Sequence, residues 1–145
     1  MSPAVVLDAD GLDALSQSHP PERLRALLTE AWKRRSEVLV AAVTCAESCR
    51  GAARTRSIES ALSRRSQPAG SQAAVQVVPT DFDLARTVGA VLHGAGAGTV
   101  DIVDAHAVAL AVSRGGGIVI TADPDDIDRL ASAAPAVRVV SRPAR

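Results

Sequence analysis

Short, nearly unbroken apolar runs alternate with longer stretches whose apolar residues recur every three or four positions. The runs are Ala4–Leu7, Val38–Ala41, Val75–Val78, Ile118–Ile120 and Val137–Val140. Runs this short and continuous read as strands buried on both faces. Between them, Glu22–Arg35 carries Leu24, Leu27, Leu28, Ala31 and Trp32 at helical spacing, with Pro20 and Pro21 placed to start the helix. Thr44 and Glu47 stand at capping-box spacing and predict a helix opening there. Ser57–Arg65 aligns Ile58, Ala61 and Leu62, and Thr80 is placed to cap a helix bearing Leu84, Val88, Val91, Leu92 and Ala95. Residues 67–73 read as a loop. Asp101–Ser113 is apolar almost all round, as a buried helix is, and Gly115–Gly117 stops it. Asp125–Ala133 completes the helices. Strands alternating with helices predict an α/β fold: one domain over residues 1–145, with a parallel sheet covered on both faces.

Acidic residues follow the strands. Asp8 and Asp10 come after the first, Glu47 (with Thr44) after the second, and Asp123 (with Thr121) after the fourth. Asp101 and Asp104 stand three apart at the start of the buried helix, which places them on one face. Ligands of parallel sheets bind beyond the carboxyl ends of the strands, so four separate segments deliver acids to one edge. Clustered acids repel and burial raises their pKa, and a hard divalent cation relieves both. Carboxylates with few other donor types suit Mg²⁺ or Mn²⁺ rather than zinc. An acid at a helix start is also ordinary dipole chemistry. That plainer account fits Glu47, as a capping partner, and Asp101. It fits Asp8 badly, because an aspartate ending a central strand is expected to have no helix to cap.

The segments VVLDAD (Asp8), VTCAESCRG (Glu47), IVDAHAVALA (Asp104) and VITADPDDIDRLA (Asp123) resemble the acidic signature of PIN-domain ribonucleases, and the VapC-type toxins of bacterial toxin–antitoxin pairs in particular. Each motif is short; the four, in order along the chain, are specific together. The resemblance implies a PIN-like three-layer α/β/α sandwich with a central sheet of four to five strands. It implies that Asp8, Glu47, Asp104 and Asp123 bind Mg²⁺ or Mn²⁺ and hydrolyse RNA phosphodiesters, with Asp101 a further candidate ligand. Thr121, Thr44, Asp10 and Asp126 become supporting residues around them. A homodimer held in check by a cognate VapB-like antitoxin is implied as well. Many relatives carry a small hydroxyl residue two places after the first aspartate, where this chain has Asp10.

Composition narrows the alternatives. The chain has 145 residues, 47% of them hydrophobic, and a formal net charge of zero, enough apolar content for a packed core. No apolar run approaches the roughly 18 residues that span a bilayer, and Met1-Ser2-Pro3 lacks a basic leader, so a cytoplasmic protein is expected. Trp32 and Phe82 are the only aromatic residues, too few for a base-stacking platform. Lys33 is the only lysine. VVLDADGL also resembles the opening of haloacid-dehalogenase-type phosphohydrolases, with Asp8 as nucleophile and Asp10 as acid–base, but that chemistry needs a lysine that Lys33 does not match. A catalytically silent, antitoxin-binding module is the third reading.

Arg50, Arg54, Arg56, Arg64 and Arg65 face only Glu59 in their stretch. Arginine forks suit phosphate or carboxylate, so Arg50, Arg54 and Arg56 are candidates to touch RNA or antitoxin, Arg50 one turn from Glu47 on the same helix. Cys45 and Cys49 read as small buried side chains, and Trp32 as core or dimer interface. His106 lies two residues past Asp104 and points elsewhere; His19 and His93 read as surface. Glycines 94, 96 and 98 follow a helix rather than a strand, which makes a flexible link and not a dinucleotide fingerprint.

Overall fold

A computed structural model describes residues 2–63 and 73–145. The strands are β1 (Ala4–Leu7), β2 (Val38–Ala41), β3 (Val75–Val78), β4 (Gly117–Ile120) and β5 (Val139–Arg142). The helices are α1 (Ala9–Leu15), α2 (Glu22–Lys33), α3 (Ala42–Ser48), α4 (Ala52–Ser63), α5 (Phe82–Gly94), α6 (Ile102–Ser113) and α7 (Pro124–Ala131), with a 3-10 turn at Thr99–Asp101. All strands are parallel in the order β3-β2-β1-β4-β5, which puts β1 at the centre.

Alternation along each strand divides the core in two. Val6, Leu39, Ala41 and Val119 pack with α5, α6 and α7 on one face. Val5, Leu7, Val38, Val40 and Ile120 pack with α1, α2 and α4 on the other. The α/β/α sandwich is therefore as expected. Helix α3 straddles the layers at the carboxyl edge: its Val43 joins the first core, and its half-buried Cys45 the second. Residues Ala105 to Ala111 of α6 are buried without a break, which explains a helix with no polar face. Fully burying a leucine or isoleucine contributes roughly 1.5–3 kcal/mol, and Leu7, Leu12, Leu24, Leu28, Leu39 and Leu110 all do so.

Several boundaries differ from the sequence expectation. Helix α1 was not expected at all: ADGLDAL has no long periodic stretch, yet Asp8 caps it and Leu12 and Leu15 anchor it. The Thr44–Glu47 capping box does not exist, because α3 starts earlier, from Ala41, and Thr44 is buried within it. Asp81, not Thr80, caps α5, its carboxylate accepting from the Leu84 N–H at 2.8 Å. Strand β5 lies two residues later than predicted. The expected helix Ser57–Arg65 begins at Ala52, and its last two positions fall outside the described residues, as does most of the 67–73 loop.

Two glycines are dictated by close approach. A Cβ on Gly11 would stand 3.1 Å from the Ile120 carbonyl oxygen, where α1 crosses β4. One on Gly117 would stand 2.7 Å from the Ala4 carbonyl oxygen. The Gly94–Gly98 stretch is not simply a loose link, since Gly94 ends α5 against Ala133, 2.9 Å from a built Cβ.

Candidate active site

The acidic edge is assembled by turns at the carboxyl ends of β1 and β4 and by the starts of α6 and α7. Asp8 leaves β1 in extended conformation and its Oδ1 accepts from the Gly11 N–H at 3.0 Å. It therefore does cap a helix, contrary to the expectation. The Thr121 hydroxyl donates to the same carboxylate, which is only 6% exposed. Burial nevertheless dominates and pushes the Asp8 carboxyl above its ordinary range, with the neighbouring charge of Asp10 adding to the shift. Thr121 Oγ1 also accepts from the Asp123 N–H at 2.9 Å, so one hydroxyl ties two acids together.

Asp104 is the focus of the edge. Its pKa is pushed up to about 6, first by burial and then by the charges of Asp8, Asp126, Glu47 and Asp123. Four acids from three chain segments thus act on one half-buried group. Asp123 caps α7, accepting from the Asp126 N–H at 3.4 Å. Glu47 is exposed in the last turn of α3 and plays no capping part.

Asp101 and Asp104 do not act together. Asp101 belongs to the 3-10 turn, and its Oδ1 accepts from Arg129 at 3.1 Å. Arg129 also reaches Asp126 at 3.5 Å, so a single guanidinium screens the two outlying acids. Arg129 was missed in the sequence; its only signal was an i, i+3 spacing from Asp126.

The remaining candidates separate. Arg50 lies beyond the end of α3 rather than on it, and its Nε donates to the Glu47 carbonyl at 3.1 Å. Arg54 donates to the Ser48 carbonyl at 2.6 Å and pairs with Asp13 at 2.9 Å, which ties α4 to α3 and α1. Arg56 is exposed on α4. Thr44 and Ser48, one turn apart, are buried with their hydroxyls unpartnered. His106 turns away from Asp104, with Nδ1 at 2.6 Å from the Ile102 carbonyl oxygen, and His19 and His93 are exposed. Trp32 is 48% exposed and is not core. Lys33 closes α2 and lines a cavity of about 650 Å³ at the foot of β2 and β3, at the opposite end of the sheet from the acids. A lysine-assisted attack at Asp8 has no lysine to use.

The donors at the edge are carboxylates and a hydroxyl, with no thiolate or imidazole, which is the chemistry of a hard divalent cation. Among the described residues, no three acidic, histidine or cysteine side chains close around a single point unaided. An ion here would keep much of its water, as Mg²⁺ characteristically does. Among the described residues, no helix is long and apolar enough to cross a membrane.

Known proteins share this fold. FitAB bound to an IR36 DNA fragment is 18% identical, with 97% of this chain and 94% of that one covered at a TM-score of 0.61. VapBC2 from Rickettsia felis, bound to a DNA fragment from its promoter, is 14% identical, with 95% and 98% covered and a TM-score of 0.62. FitAcB from Neisseria gonorrhoeae is 19% identical, with 94% and 96% covered and a TM-score of 0.56. At these identities the likeness is one of fold. No curated protein matches the chain significantly. The family model of the PIN domain matches residues 12–133, a span that takes in Glu47, Asp104 and Asp123 and begins just after Asp8. The chain belongs to the PIN domain family.

Proposed function

We propose that the protein is a divalent-metal-dependent endoribonuclease and the toxin of a toxin–antitoxin pair. The observation that carries this reading is Asp104, half-buried and held near a pKa of about 6 by Asp8, Asp126, Glu47 and Asp123. So much unneutralised acid at one edge is costly to the fold and is relieved by a cation. Asp8, Asp104 and Asp123 would hold Mg²⁺ or Mn²⁺, with Glu47 completing the shell or orienting water. When bound, the cation supplies a water of lowered pKa and neutralises charge growing on the phosphate.

The protein's own groups divide the remaining work. Thr121 fixes the Asp8 carboxylate and the Asp123 backbone, and Asp8 is held further by the Gly11 N–H. Glu47, exposed at the rim, would orient the attacking water. In-line attack leaves a 5′-phosphate and a 3′-hydroxyl, and no side-chain nucleophile is needed. Asp101 and Asp126 share the single guanidinium of Arg129 and form a partly neutralised border. A VapB-like antitoxin as partner rests on the neighbours that are complexes of that kind, and a homodimer on the family resemblance; both are part of the proposal. The single PIN domain over residues 1–145 and the cytoplasmic location belong to it too.

The test is incubation of total cellular RNA with the purified protein, first with Mg²⁺ and then with EDTA. Discrete fragments that require metal support the reading. Intact RNA from a folded, metal-binding protein would overturn the nuclease and leave the silent binding module.

A further inference from the structure

The end of α2 presents an aromatic ring and two cations to the cavity at the foot of β2 and β3. Trp32, Lys33 and Arg35 line it with Ser36, Glu37 and Gln76, and its volume is about 650 Å³. Small-molecule sites span about 300–1,000 Å³. The Trp32 indole is 48% exposed, whereas tryptophan is mostly buried in folded proteins.

Helix α2 ends in a Schellman motif. The Ser36 N–H donates to the Ala31 carbonyl at 2.9 Å, and the Arg35 N–H to the Trp32 carbonyl at 3.1 Å. The motif requires left-handed backbone at Arg35, which has a φ of 55°. Among the described residues it is the only residue other than glycine with a positive φ. Glycine takes this conformation freely, and a residue with a Cβ does not. The turn by itself therefore gives no reason for an arginine; the cavity that its side chain lines does.

The acids around the cavity are paired, and two of the cations are not. Glu30 accepts from Arg34 at 2.8 Å and Glu37 from Arg114 at 3.1 Å. Lys33 and Arg35 are exposed and form no ion pair among the described residues. Residues 64–72 contain no aspartate or glutamate. The carbonyls of Glu30, Ala31 and Trp32, which at a free helix end would repel an anion, already accept from the N–H groups of Arg34, Ser36 and Arg35.

We infer that this cavity binds a 5′-nucleotide, with the base stacked on Trp32 and the phosphate held by Lys33 and Arg35. An exposed indole accepts a nucleobase on its face. Ammonium and guanidinium groups make charge-assisted hydrogen bonds to phosphate oxygens. Gln76 and Ser36 offer an amide and a hydroxyl to the polar edge of the base or the sugar. A single ring stacks a single base, so the unit recognised is one nucleotide, either free or as the phosphorylated end of an RNA. The site lies at the opposite end of the sheet from the acids and does not depend on the nuclease reading.

Trp32 is the only tryptophan and the chain has no tyrosine, so its fluorescence reports on this cavity. In EDTA, AMP should quench that fluorescence saturably. Adenosine, which lacks the phosphate, should bind at least about tenfold more weakly. Lys33→Gln and Arg35→Gly should each weaken AMP by about tenfold or more. Arg25→Gln, at an exposed position of the same helix, should bind like the parent. Arg35→Gly should also hold or raise the thermal midpoint, because glycine suits the left-handed turn. A 5′-phosphorylated oligoadenylate that displaces AMP, where its 5′-hydroxyl counterpart does not, assigns the site to an RNA end. Displacement by neither assigns it to a free nucleotide. Absence of quenching, equal binding of adenosine and AMP, or undiminished AMP binding in both variants overturns the inference. So does a lowered midpoint in Arg35→Gly, since the arginine would then secure the turn itself. Emission that shifts with protein concentration and not with AMP overturns it in favour of a second copy of the chain.

Discussion

The carboxyl edge of the sheet and the flank of β5 carry opposite charge and are built in opposite ways. At the edge, acids from four segments are pressed together, and the central two, Asp8 and Asp104, are partly removed from water. On the flank, arginines are spaced along one extended segment and stay exposed. Repulsion at the edge is resisted by packing, since β1 and α6 are anchored in the cores regardless of their terminal charges. Repulsion on the flank is dispersed by distance and solvent. A net charge of zero hides this division. It also means that the edge has its charge coupled to stability, while the exposed charges of the flank are screened by solvent and weigh little on it.

The largest effect should separate these roles. Asp104→Asn keeps the shape of the side chain but removes the charge that four neighbours focus upon. Metal-dependent RNA cleavage should fall by at least about a hundredfold through kcat. Binding of oligouridylate in EDTA should hold or tighten, because a repulsive charge has gone. Cleavage undiminished in Asp104→Asn would put the active centre elsewhere.

Next come substitutions that press backbone against backbone beneath each region. At Gly117 an added methyl meets the Ala4 carbonyl at 2.7 Å, and neither strand can yield without disturbing the β1–β4 ladder. Gly117→Ala should destabilise by about 1–3 kcal/mol. Gly11→Ala, facing Ile120 at 3.1 Å, should cost less. Urea midpoints compare the two directly, and a reversed order would contradict the packing argument.

Much of this was legible in the sequence, and the failures have physical causes. The apolar runs of β1 to β4 fell within a residue of their predicted places because buried parallel strands leave no polar interruption. The acidic edge was legible because topology alone brings strand ends together. What escaped were local competitions. Asp8 caps α1 as well as ending β1, and one residue's two duties cannot be read from a run of four apolar positions. Thr44 and Glu47 had capping spacing, but burial of Thr44 against the core placed the helix start earlier. The Arg129 bridge to Asp101 crosses 28 residues of chain, beyond any periodic signal.

A smaller effect concerns pH. The folded pKa of Asp104, about 6, lies above its ordinary value of 3.8, and Asp8 is shifted the same way. The folded state therefore binds protons more tightly than the unfolded state. Stability of the metal-free protein should be greatest on this account below pH 4 and decline as pH rises towards 6. Allowing for partial exposure, the fall is about 1–2 kcal/mol. Differential scanning calorimetry in EDTA between pH 4.5 and 7.5 would show it against the general acid denaturation of other carboxylates. Excess Mg²⁺ should recover most of the loss at pH 7.5, and Arg138→Gln/Arg142→Gln should leave the profile unchanged. A profile insensitive to Mg²⁺ would mean that the edge acids are not its source.

The smallest effect is the most discriminating for the wall of the site. Thr44 and Ser48 lie one turn apart on α3, fully buried or nearly so, with hydroxyls that meet no partner among the described residues. A buried hydroxyl without a partner carries its desolvation cost unrecovered, so an apolar replacement of equal shape removes that cost. Thr44→Val should leave stability unchanged or raise it by up to about 1 kcal/mol. Cleavage should then fall by no more than about threefold if the hydroxyl merely fills space between the two cores. If Thr44→Val instead keeps its stability and loses cleavage tenfold, about 1.4 kcal/mol, then the hydroxyl is held for the loaded site. Thr44 would then act on Glu47, the acid on the next turn of the same helix, rather than on the fold.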